Sequence, residues 1–128
     1  MSTPEAYDAA LDPLKKRSDV LEDQFAAVQG DGYTGPDQVR DVLAEILPEF
    51  AALLEETRAI AVEDPALERA HAVLVASLER QQEGLERALK GLEEGDMVMV
   101  AEGGRALQDA ERLLKQHRRL LSRARAGS

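Results

Sequence analysis

The sequence predicts an all-α protein, an antiparallel up-down-up-down bundle of four helices. Three observations carry that prediction. Leu, Ala, Glu, Arg and Gln dominate the composition, and all are strong helix formers. Apolar residues recur at alternating steps of four and three, the spacing of a helix seam packed by knobs into holes. Three loop signals, Gly30-Asp31-Gly32-Tyr33-Thr34-Gly35-Pro36, Asp64-Pro65 and Gly95-Asp96, divide the chain into four segments of similar length.

The elements follow in order, over about 4–29, 36–63, 65–94 and 97–124, within one domain spanning 1–128. The first seam reads Tyr7, Leu11, Leu14, Ser18, Leu21, Phe25, Val28. Pro13 follows Asp12, so this helix is expected to kink there or to restart with Asp12 as its cap. The second seam reads Val39, Leu43, Ile46, Phe50, Leu53, Thr57, Ile60, and an uncapped Pro48 predicts a kink. The third opens on an Asp64 cap with proline at the first helical position. It runs Leu67, His71, Leu74, Leu78, Gln81, Leu85, Ala88, Leu92. The fourth follows a helix-ending Gly95 and an Asp96 cap, and runs Gly103, Leu107, Ala110, Leu114, His117, Leu121, Ala124. The pair Gly103-Gly104 weakens a helix by about 1 kcal/mol per glycine, so it marks either a close helix contact or a hinge. Val42, Leu54, Val75 and Leu113 lie beside the seams and widen the apolar stripe, which suits a globular bundle.

Composition narrows the chemistry. There is no Cys, which removes disulfides, thiolate metal sites and cysteine nucleophiles. Aromatic residues make up 3%, so the core is aliphatic. No apolar run approaches the ~20 residues of a membrane span. Ser77 and Ser122 sit in helical segments without a nucleophile elbow. No phosphate-binding glycine loop or calcium loop is present. The net charge of −9 argues against nucleic acid as a partner. All of this points away from catalysis. The charge is uneven: residues 112–128 hold Arg112, Lys115, Arg118, Arg119, Arg123 and Arg125 and no acid. Such a basic end complements a helix dipole. Its sharper reading is a docking tail made by Arg118, Arg119, Arg123 and Arg125.

Short loops make successive helices antiparallel neighbours, so residues at one height can be found by reflection through each turn. With turns centred near 32, 64 and 94, His71 reflects onto Thr57 and His117, and Thr57 onto Tyr7. The sequence thus predicts one polar core layer of Tyr7, Thr57, His71 and His117, and places Ser18 and Gln81 together at a second height. Buried polar groups must be hydrogen-bonded, and these four are expected to satisfy one another. Three roles are open for the layer: fixing register, sensing pH through buried imidazoles, or holding a metal with Glu68, His71 and His117. Glu68-x-x-His71 is half of the motif that di-iron bundles use twice. Leu114 stands where the second Glu would be.

The stretch Pro65-Ala66-Leu67-Glu68-Arg69-Ala70-His71, followed by Leu74, Leu78 and Gly95-Asp96, resembles small helical-bundle domains of uncharacterised proteins from high-GC bacteria, many of them envelope lipoproteins. The resemblance covers about a third of the chain. It implies a bacterial bundle and no particular activity. The chain departs from it at Met1-Ser2-Thr3-Pro4-Glu5, which has no charged or apolar leader and no Cys for lipid, so a cytoplasmic location is expected. The expected mode of action is binding to a protein partner, as an adaptor or scaffold, with a homodimer as one form. A secretion-chaperone-like bundle that holds an amphipathic client segment in a groove opened by Pro48 and Gly103-Gly104 is the alternative, and a metal-binding bundle the third reading. No cofactor is expected.

Overall fold

The computed structural model describes residues 3–127. Met1, Ser2 and Ser128, part of the expected domain, lie outside the described residues. Among the described residues the chain forms four α-helices, α1 (Pro4–Ala26), α2 (Pro36–Arg58), α3 (Pro65–Glu94) and α4 (Met97–Ala126), arranged as an antiparallel bundle. A single 3-10 turn, Gly30–Gly32, lies between α1 and α2. Among the described residues there is no strand, and no helix is long and apolar enough to cross a membrane.

The caps explain where the helices begin. Thr3 accepts a hydrogen bond from the Ala6 amide at 3.2 Å and Pro4 follows it. The Asp64 carboxylate accepts from the amides of Ala66 and Leu67 at 3.1 and 3.0 Å. Asp96 accepts from those of Val98 and Met99 at 3.0 and 3.2 Å. Each carboxylate meets amides that have no partner inside the helix and the positive end of its dipole. Gly95 ends α3 with φ +69°, a left-handed conformation that glycine adopts without steric cost.

Of the two outcomes expected at Pro13, a restart at Asp12 is excluded, and both helices continue through Pro13 and Pro48. Each proline deprives the carbonyl four residues earlier of its donor. Those carbonyls belong to Ala9 and Ala44, both exposed to solvent. Three helix ends also shift. α1 stops at Ala26 rather than 29, α2 at Arg58 rather than 63, and α4 runs on to Ala126 rather than 124. α2 ends early because the chain turns to set Ile60 and Val62 against the core on its way to the Asp64 cap.

One continuous hydrophobic core fills the bundle, with Tyr7, Leu11, Leu43, Phe50, Leu53 and Leu67 among its most deeply buried members. Leu54 belongs to that core, and Val42 and Val75 pack against it. The helices do not close evenly around it. α3 and α4 share by far the most extensive contact, whereas α1 and α4 meet only sparsely.

Candidate functional site

The structure offers three places where polar chemistry meets a cavity or groove: a layer near one end of the bundle, a cleft between α1 and α4, and a groove along the outside of α3 and α4.

The layer brings Tyr7, Thr57, His71 and His117 into the interior, all four buried. The Tyr7 hydroxyl lies 2.9 Å from His71 Nδ1, with the two rings edge to face at 5.5 Å. The His117 ring is 6.5 Å from that of Tyr7. The partners are not those expected for every member. Thr57 donates to the Leu53 carbonyl of its own helix at 2.8 Å, and His117 Nδ1 lies 2.7 Å from the Ala70 carbonyl of α3. A backbone carbonyl is always near a helical threonine, so local bonding wins over bonding across the layer.

These bonds assign the protons. A carbonyl only accepts, so His117 carries hydrogen on Nδ1 and presents Nε2 as an acceptor. Tyr7 has no acceptor other than His71 Nδ1, which places the His71 proton on Nε2. That atom is buried without a hydrogen bond, on the side of the Thr57 carbonyl. Burial holds both imidazoles below the usual His range. The Thr57 carbonyl works against this at His71 and the Ala70 carbonyl at His117, while Lys15, His71 and Arg118 depress His117 further. Burial raises the Tyr7 phenol well above its ordinary value, with Asp8 adding to the effect. The layer is therefore neutral at pH 7.

Glu68, the third residue of the metal reading, is exposed and does not join the layer. At the first turn of α3 its side chain lies on the solvent face, one residue beyond the buried Leu67. Among the described residues no group of three or more His, Asp or Glu is placed to hold a metal ion.

The cleft opens between α1 and α4, where those helices stand apart, and encloses about 260 Å³. Leucines from all four helices form its walls, including Leu11, Leu14, Leu53, Leu74, Leu78 and Leu114. Ser18, Gln81 and His117 reach into it. Ser18 and Gln81, expected at one height, thus lie in the same cleft. At the rim stand Lys15 and Arg118 together with Asp19 and Glu22. Partial desolvation and the nearby carboxylates of Asp19 and Asp23 raise the Glu22 carboxyl, against the opposing pull of Arg118. Ser77 also borders the cleft, with its hydroxyl bound to the Ala110 carbonyl of α4 at 2.7 Å. That bond between helices had no signal in the seam pattern. The expected groove at Pro48 and Gly103-Gly104 does not form: Gly103 is buried against Gly84 and Ala88 of α3, and Pro48 faces solvent.

The outer groove of α3 and α4 consists of two hollows of about 720 and 520 Å³ that share Arg80, Asp109 and Arg112. Met99, Ala106 and Leu113, spaced by seven along α4, give it an apolar floor. Ion pairs span it at Arg87–Glu102 (2.6 Å) and Arg80–Asp109 (3.1 Å).

The basic C-terminal residues do not form a separate tail. Arg125 holds both carboxylate oxygens of Asp8 at 2.7 and 2.6 Å, which ties α4 to α1. Arg118 stands at the cleft, Arg119 borders the outer groove beside Lys115, and Arg123 is exposed. No family model matches this chain, and neither does any curated protein or solved structure.

Proposed function

We propose that the protein is a non-enzymatic adaptor that works by protein–protein contact, with the outer groove of α3 and α4 as its docking face. The supporting observation is the combination in that groove of an apolar floor with heptad spacing and charged walls of both signs. A partner helix laid along it would bury apolar side chains on Met99, Ala106 and Leu113 and meet charges on either side. Lys115 and Arg119 at one end favour acidic residues on the partner there. A second copy of the chain is the self-associating form of the same reading. The proposal carries with it a bacterial, cytoplasmic setting, in keeping with an acidic, cysteine-free chain.

The test is a pair of photoreactive side chains introduced into the protein in its native cells. One replaces Gln108 in the groove and the other Glu45 on the exposed side of α2. A discrete protein adduct from position 108 alone is expected. Adducts from both positions alike, or from neither, would remove the adaptor reading. Light scattering then identifies the partner: a dimer abolished by Leu113→Glu is a second copy.

A further inference from the structure

The cleft between α1 and α4 plays no part in that docking face, and its chemistry is of another kind. Leu14, Ser18, Gln81 and Leu114 occupy seam positions, which a closed bundle would bury fully, yet all four are half-exposed here. The space they border is walled by leucine, and no Phe, Tyr or Trp side chain lines it. Three polar groups converge there with hydrogen-bonding capacity unused. His117 has spent Nδ1 on the Ala70 carbonyl and keeps Nε2 as an acceptor. Among the described residues, the Ser18 hydroxyl and the Gln81 amide make no hydrogen bond. A leucine-walled cavity with a few convergent polar groups is the usual form of a small-molecule site between bundle helices.

We propose that this cleft binds a small single-chain amphiphile, an aliphatic chain with an uncharged hydroxyl head that donates to His117 Nε2 and contacts Ser18 and Gln81. The size follows from volume. A cavity of about 150 Å³ accepts benzene, so about 260 Å³ accepts a molecule of roughly ten non-hydrogen atoms. The head is uncharged because the rim is balanced, Lys15 and Arg118 against Asp19 and Glu22. A net charge on the ligand meets as much repulsion as attraction there. The chain is aliphatic because the walls are, with burial of its methylenes supplying the affinity.

The probe is 1-nonanol, titrated into the full chain and followed by amide NMR. Saturable binding of one molecule per chain is expected, with shifts centred on Leu14, Ser18, Gln81 and Leu114. Ser18→Leu, which fills the cleft from a half-exposed position, should weaken binding at least tenfold. Leu114→Phe, which fills it from α4, should do the same, and circular dichroism checks that each variant keeps its helices. Nonanoate and nonylamine should each bind at least tenfold more weakly than nonanol. Shifts that never saturate, or unchanged binding by folded filled variants, would show that nonanol does not occupy the cleft and overturn the proposal. Equal or tighter binding of either charged probe would overturn the uncharged head.

Discussion

The two halves of the α4 seam are built on the same spacing and end up with opposite characters. Toward α3, α4 presents Gly103, Ala106 and Ala110, and the helix backbones come together. A Cβ added at Gly103 would stand 2.6 Å from the Gly84 carbonyl oxygen, and one added at Gly84 would stand 2.8 Å from that of Gly103. The Ser77 hydroxyl crosses the same seam to the Ala110 carbonyl. Toward α1, α4 presents Leu114, His117, Arg118 and Leu121, and the helices stay far enough apart to leave a cavity. The difference teaches that periodicity selects the face a helix buries, whereas side-chain size sets how closely that face is approached.

The largest expected effect breaks the tight seam. Gly103→Val should cost about 3 kcal/mol, because the backbone of α3 has to move to admit the new side chain. Its neighbour supplies the control. Gly104 has nothing within 4 Å of an added Cβ, so Gly104→Ala should gain about 1 kcal/mol from helix propensity alone. Urea unfolding of the two variants measures both. Equal destabilisation by the two would mean that helix propensity, not the close approach, governs this region.

Next comes the closed end of the open seam. Tyr7→Phe keeps the ring and removes the hydroxyl, leaving His71 Nδ1 buried without a partner. A loss of about 1–2 kcal/mol is expected in the same assay.

Acid sharpens the comparison further, because both histidines lie along the α1 side. Burial lowers both of their pKa values, so below about pH 6.5 the unfolded chain takes up protons that the folded chain refuses. Stability is complete above that pH and falls as pH drops from it toward the depressed folded values. Glu22 acts in the opposite sense further down, since its raised carboxyl binds a proton more readily in the folded chain. His117→Asn retains a donor for the Ala70 carbonyl and removes one titrating ring. Urea midpoints at pH 8 and pH 5.5 should therefore differ less in this variant than in the parent. An equal difference would clear His117 of the effect.

The smallest effect is at the surface. Asp8→Asn weakens the ion pair in which one Arg125 nitrogen donates to both Asp8 oxygens, and should cost less than about 1 kcal/mol, less still in high salt.

Much of the fold was legible in the residues. Every seam position is buried or half-buried, and Asp64, Asp96 and Gly95 cap the helices they were expected to cap. Reflection through the turns brought Tyr7, His71 and His117 to one height because the connections are short. What the sequence withheld were distances. Gly103-Gly104 read equally as a contact or as a hinge, and the choice depended on Gly84 lying opposite. Leu14 and Leu114 read as closed core, yet both are half-exposed beside the cleft. The fate of Thr57 and His117 was illegible for another reason. Backbone carbonyls carry no sequence signature, so their competition for these donors appears only in three dimensions.

The two-residue turn at Gly95-Asp96 bears on the order in which the molecule forms. It joins the two helices that share the most contact, so the principal interface of the bundle links residues near one another in the chain. Such local interfaces are inexpensive in loop entropy and assemble early. α1 is held more loosely, by a modest interface with α2 and a sparse one with α4. It is therefore the helix expected to detach first, and amide hydrogen exchange should find its amides exchanging through partial openings that leave α3 and α4 protected.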